Sequence, residues 1–425
     1  MSRYLFIIGI LFMPFDNLFF APSKGWATIS PMIFFSAFIL YVIEYRSFTN
    51  PNISLIKSLI MIFAVIQTLI LIFIYDFESS LLMNSILTLL FGLTFYFSLN
   101  VFVLGENGIG FNGLVKYIFI GYLLSLIYGV LYFISVKFNL SPITSLFELI
   151  QKRNYPGRIS MSFTEPSFTS IHVIGVLFFV FYAINYITNI RINISDALRN
   201  KFNKLFYIYV LTAVLIVSSM RYIIDLVFVS FIMCLFLLFN KKINRNKKYI
   251  GSILTIVLFF TFYLNANLID GRLNKIISNS NMTVMMNSDP SLAARWFRIV
   301  SLRDGLLSEP VEALFGYGLS NASIPFNNGY FSALSTYTNG FTDEVDLLND
   351  NITDQYFNMQ LRIISEFGLI IFIGLLIALF DKRMIVLYLV LIYLYFQFDS
   401  YAWYTVWLYL FLKNVMNKTT NLKNP

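Results

Sequence analysis

Apolar residues fall in long runs along most of this chain, separated by short polar connections. A bilayer core takes roughly 20 apolar residues per helix, and most of the runs reach or approach that length. Hydropathy places twelve candidate spans at about 4–20, 26–43, 53–75, 81–104, 114–136, 168–188, 205–220, 222–239, 249–265, 361–380, 384–398 and 400–412. The pattern predicts an all-α polytopic membrane protein with about 12 transmembrane helices and both termini on one side. The spans at 205–220 and 222–239 are nearly continuous and read as a hairpin turned at Ser218-Ser219-Met220-Arg221. A single broken helix would instead invert everything downstream and move the basic stretch Asn240–Lys248 to the wrong face.

Lysine and arginine in the connections set the orientation. With the N-terminus inside, one face receives Arg3, Arg46, Lys116, Arg199, Lys204, Asn240–Lys248 and Arg383, so both termini are expected in the cytoplasm. Three regions follow: spans one to nine (1–265) with an outer connection at 137–167, a large outer loop (266–358), and the last three spans with a cytoplasmic tail (359–425). The loop has helical signals. Asp289-Pro290 supplies an N-cap and a first-turn proline. Leu292, Trp296, Ile299, Leu302 and Leu306 then recur at helical spacing, with Arg295, Arg298 and Arg303 on other faces. We expect an amphipathic helix on the outer membrane surface, ended by Glu309-Pro310 and followed by a turn at Gly316-Tyr317-Gly318.

Composition narrows the function classes. Of 425 residues 58% are hydrophobic and only 12% charged, which excludes a soluble globular protein. The net charge of +8 is spread through the connections and forms no continuous patch, which argues for membrane topology and against a nucleic-acid partner. The one cysteine, Cys234, has no disulfide partner, and with a single histidine, His172, a zinc site is not expected. Gly108-Ile109-Gly110-Phe111-Asn112-Gly113 fits GxGxxG but joins two apolar spans and reads as a turn. A Walker A sequence and a D-x-D pair are both missing, so no cofactor is expected and the reaction should be nucleotide- and metal-independent.

Charge beside hydrocarbon is costly, about 2.5–3.5 kcal/mol per residue at a helix centre on insertion scales, so the residues that keep it are functional candidates. Arg158, Arg221 and Arg295 all fall on the outer face. Each alone is explained by snorkelling to the interface, whereas together they offer the bidentate, always-charged donors that a diphosphate needs. Glu165, followed by Pro166, stands where a helix should begin, and the helix dipole partly explains it there. It is also placed to accept a proton from a hydroxyl. Glu366, just inside the tenth span, is the second acid/base candidate. His172 reads as a packing or hydrogen-bonding residue, and the acidic run Asp343–Asp354 as a solvated face.

Taken in order, Arg158-x-Ser160 with Phe163-x-Glu165-Pro166-Ser167, Ser219-x-Arg221, Arg295-Trp296, Leu314-Phe315-Gly316-x-Gly318, Asn358-x-x-Leu361 and Glu366-x-Gly368 resemble the O-antigen polymerase and ligase superfamily (Wzy-type polymerases), over about Tyr155 to Gly368. The resemblance implies a GT-C-like glycosyltransferase of the bacterial cytoplasmic (inner) membrane, with a large periplasmic loop and its active site on the periplasmic face. It implies polymerisation of undecaprenyl-diphosphate-linked oligosaccharide repeat units into O-antigen or a related surface polysaccharide, part of lipopolysaccharide biosynthesis. Membrane lipid, and a chain-length regulator and flippase of the same pathway, are the partners it suggests. In that setting Arg158, Arg221 and Arg295 would bind diphosphate, and Glu165, or failing it Glu366, would take the proton. Ligases of the superfamily rely on a histidine in the large loop, and residues 266–358 contain none, which favours a polymerase. Transfer to another acceptor and flipping of a lipid-linked oligosaccharide are the alternatives.

Overall fold

The computed structural model describes residues 1–19, 28–45, 64–71, 74–75, 79–105, 108–152, 159–187, 194–217, 219–239, 290–336, 358–397 and 400–421. Arg158, the span at 249–265, most of that at 53–75, the basic stretch Asn240–Lys248 and the acidic run Asp343–Asp354 lie outside them. Regular structure in the described residues is helical, with two isolated bridges, Asp16 to Thr28 and Leu18 to Gln151. The helices are α1 (Ser2–Phe12), α2 (Ser30–Tyr45), α3 (Ser79–Leu104), α4 (Gly110–Lys137), α5 (Ser141–Ile150), α6 (Pro166–Tyr186), α7 (Asp196–Ile216), α8 (Met220–Phe239), α9 (Pro290–Ser308), α10 (Pro310–Phe315), α11 (Ser323–Thr336), α12 (Met359–Leu379), α13 (Ile385–Tyr395) and α14 (Tyr404–Asn421). Five of them are long and apolar enough to cross a membrane: α3, α4, α6, residues Arg221–Phe239 of α8, and α12.

Helix α6 is the axis of the bundle. Every residue from Ser170 to Ile184 is buried, so it is apolar all round, as a helix enclosed by others should be. Its middle, Val173–Phe178, is a π-helical turn, a device that recurs at functional sites. Around it, α7 holds one end by the paired amides of Asn185 and Asn203 (2.8 and 3.1 Å). At that same end Phe236 of α8 packs on Tyr182 and Tyr186. Chain entering by α7 and leaving by α8 therefore reverses direction between them. The hairpin expected at 218–221 is present, broken by extended Val217 (φ −84°, ψ 108°).

Boundaries differ from hydropathy where polar residues enter a helix. The seventh helix starts at Asp196, not near 205, because Ser195 Oγ caps it by accepting from Leu198 N (3.4 Å). The first stops at Phe12, and Asp16 turns inward, buried, to accept from Thr164 N (3.1 Å) and Thr164 Oγ1. Burial of a carboxylate needs such donors, and it ties the first turn to the segment that carries Glu165.

Helix α9 takes part of its cover from protein: Phe297, Val300 and Leu302 are buried with Ala322, Phe326 and Ala333 of the following segment in a small core of their own, while Leu307 and Phe331 stay exposed. Two helices that cover one another need no lipid to bury those core residues.

Candidate functional site

The sequence places Glu165 before a helix, and the structure gives it the N-cap position of α6, extended (φ −129°, ψ 144°), with Pro166 as the first helical residue. Its carboxylate is partly exposed and accepts from Ser167 Oγ (3.3 Å). Arg221 occupies the first turn of α8, 14% exposed. Its Nε donates to Gln397 Oε1 (2.6 Å) and its Nη2 to the Gln397 carbonyl (3.2 Å), just past the end of α13. Asp225, one turn along, lies 3.8 Å from Arg221 Nε and accepts from Ser170 Oγ, Tyr393 OH and Gln397 Nε2 (2.8 Å). A buried carboxylate with three donors of its own holds the guanidinium through the shared Gln397 rather than as a close ion pair.

Arg295, in the second turn of α9, and Glu165 both act electrostatically on the Arg221 charge. Ser170, five residues after Glu165, donates to Asp225 one turn from Arg221, so that arginine and the first carboxylate stand at adjoining helix starts. The N-terminal ends of α6 and α8 meet there, joined by that bond, and each carries the partial positive charge of a helix start. Guanidinium groups and helix N-termini together make a setting for a multiply charged anion, with one carboxylate at its edge. Arg158 lies outside the described residues.

Glu366 belongs to a different cluster. It is fully buried, one oxygen accepting from Arg362 Nε (2.9 Å) and the other from Tyr401 OH. Arg362 also donates to Ser85 Oγ (3.0 Å) and lies 5.1 Å from the Tyr401 ring centroid. Both carboxylate oxygens are engaged, so Glu366 suits an ion-pair anchor better than a proton acceptor. Arg362 escaped the sequence reading, although Arg362 and Glu366 stand four apart on one helix face, the spacing of a charge pair.

The turn expected at Gly316-Tyr317-Gly318 lies on this cluster. Tyr317 N donates to the Ser365 carbonyl (2.8 Å) and Gly318 N to the Glu366 carbonyl (2.9 Å). Gly316 (φ +82°) and Gly368 (φ +84°) face each other's segments so closely that a Cβ on Gly316 would come within 2.6 Å of the Glu366 carbonyl oxygen. The two glycine motifs noted separately in the sequence are one contact.

His172 is buried, its Nδ1 3.0 Å from Tyr122 OH, with Phe163, Trp403 and Tyr404 around the ring. It is a hydrogen-bonded packing residue, as read from sequence. No protein-family model, no curated protein and no solved structure matches the chain, so its function rests on the chemistry of these residues.

Proposed function

We propose that this protein is a glycosyltransferase of the bacterial cytoplasmic membrane that polymerises oligosaccharide repeat units carried on undecaprenyl diphosphate. The observation that carries the reading is the meeting of Glu165 and Arg221 where α6 and α8 begin, joined by the bond from Ser170 Oγ to Asp225, with the Arg295 charge of α9 acting on Arg221. Arg221 and Arg295 bind the diphosphate of the growing chain, joined by Arg158. Glu165 takes the proton from a hydroxyl of the incoming repeat unit. That oxygen bonds to the anomeric carbon of the donor as its bond to the diphosphate breaks. Undecaprenyl diphosphate leaves with the electron pair, and its charge is stabilised by the guanidinium groups and helix ends. The broken glycosyl–diphosphate bond supplies the energy, so no nucleotide is consumed. The lipid tails lie between apolar helices, the loop 266–358 covers the saccharides at the periplasmic face, and both termini are cytoplasmic.

The test is reconstitution of the purified chain in liposomes with undecaprenyl-diphosphate-linked repeat units from the host's own gene cluster, without nucleotide or added metal. A ladder spaced by one repeat unit is the expected product. Unchanged substrate with folded protein overturns the reading, and product formed only on addition of a different acceptor converts it to a ligase.

A further inference from the structure

The ten residues of α5 divide sharply by side. At 100° per residue, Pro142, Ile143, Leu146, Phe147, Leu149 and Ile150 share one half of its circumference, and Ser141, Thr144, Ser145 and Glu148 the other. None of the ten is buried: Leu146 is 57% and Leu149 72% exposed. A helix with an apolar half and so little cover has no reason to hold together in water.

The helix is nonetheless firmly seated. Phe147 packs edge-on against Tyr128 and Tyr132 of α4 (ring centroids 4.8 and 5.8 Å), and Tyr128 OH donates to the Phe147 carbonyl (3.3 Å). At its far end Phe19 N donates to the Ile150 carbonyl (2.9 Å). Gln151 Nε2 bonds the carbonyls of Asp16 and Ser162, both at 2.8 Å.

These contacts fix its depth. Tyr132 and Tyr128 lie five and nine residues before Lys137, the last of α4, which is about 7.5 and 13.5 Å back along that helix at 1.5 Å per residue. The chain leaving α4 therefore doubles back beside it rather than crossing its end. Helix α4 is itself long and apolar enough to span a membrane, and Leu124, Ile127, Leu131 and Ile134 form an exposed apolar stripe along it. Phe147 touches Tyr128 and Tyr132, the sequence neighbours of Ile127 and Leu131, so the exposed Leu146 next to it stands at the level of that stripe.

We infer that α5 is a half-length helix immersed in the leaflet at this end of the bundle, its Ile143–Leu146–Leu149 edge packed by phospholipid acyl chains and its Ser141–Ser145–Glu148 edge turned to water. Continuity with the α4 stripe selects lipid as the occupant. Short helices with one strongly apolar face bury it at the boundary of headgroups and acyl chains.

The test needs no substrate. Full-length protein carrying Cys234→Ala and one new cysteine, Leu146→Cys, Leu149→Cys, Ser145→Cys or Glu148→Cys, is labelled with an environment-sensitive fluorophore in phosphatidylcholine–phosphatidylglycerol vesicles. Quenching is compared between nitroxide-bearing lipids and aqueous iodide. Labels at 146 and 149 are expected to lose most of their emission to lipid nitroxides and little to iodide, and labels at 145 and 148 the reverse. Equal iodide quenching on both edges overturns the inference. Shielding of 146 and 149 from both quenchers also overturns it, in favour of a second protein chain. Because all four positions are exposed, the substitutions leave folding intact, which a monodisperse elution profile verifies.

Discussion

Arg221 is fixed by Gln397, 176 residues further along the chain, and an arginine so held presents its charge at one place instead of sampling many. Arg221→Ala is expected to lower polymer formation by about 10²-fold or more, the scale of removing one donor from a developing anion. Arg221→Lys should recover little of it, because an ammonium cannot keep both Gln397 bonds. Glu165 and Glu366 separate in the same assay. Glu165→Gln is expected to abolish turnover with thermal stability unchanged. Glu366→Gln leaves the Arg362 charge buried beside a neutral group and is expected to cost stability of about 3–5 kcal/mol, read as a lower unfolding temperature in detergent. Loss of turnover in Glu366→Gln at full stability would reverse the two roles. Of these residues, Glu165 was legible because a carboxylate before proline at the mouth of an apolar run marks a helix start. The partners of Arg221 were not, since a side-chain bond to Gln397 leaves no local pattern.

Between elements, the Gly316–Gly368 contact and the packing of Leu361 on the small core join the α9–α11 unit to α12. Each glycine has a positive φ with an extended ψ (82°, 170° and 84°, 163°), a region essentially reserved for glycine that costs other residues about 1–3 kcal/mol before any clash, and a Cβ on Gly368 would come within 2.3 Å of the Leu314 carbonyl oxygen. Gly316→Ala and Gly368→Ala are each expected to detach this unit, so that limited proteolysis cuts near residue 316 while the membrane-embedded fragments survive. At the turn from α12 to α13, burial tends to raise the Asp381 pKa, but bonds from the Arg383 side chain and amide outweigh it and hold the carboxyl below its usual range. Its contribution is present above the unfolded-state pKa and is lost as pH falls through the folded one. Asp381→Asn should therefore flatten the acid side of the stability–pH curve. Hydropathy averaging explains what was misread at this scale. It saw only the apolar half of α7, and it passed over α5 because alternating faces cancel in a window. In α9 the spacing correctly marked a helix with one apolar side, but not whether protein or lipid covers it.

Across the whole molecule, Met1 pairs with Glu44 (3.0 Å), and Lys413 of α14 bonds the carbonyls of Ala378 and Phe380 (2.9 and 2.8 Å). Phe6 stacks on Phe102, and Asn414 bonds Asn100 two residues away, so the two chain ends share one end of the bundle. Glu165, Arg221 and the α9–α11 unit gather at the other. The alternation of apolar runs foresaw the five helices long and apolar enough to cross a membrane, α3, α4, α6, α8 and α12. It could not foresee that α6 would be enclosed on all sides, since a wholly apolar run reads alike whether lipid or protein surrounds it.

Gln151 has a mechanical role in this arrangement. Its side chain clasps the Ser162 carbonyl three residues before Glu165, while its backbone ends α5. A force that tilts α5 is thus delivered, through the Gln151 amide and the adjoining Asp16–Phe19 segment, to the turn that positions the carboxylate. Bilayer thickness then becomes an input to the protein, as a lever arm is to a latch. Turnover measured in vesicles of increasing acyl length should pass through an optimum, and Gln151→Ala should make it shallower by weakening the linkage.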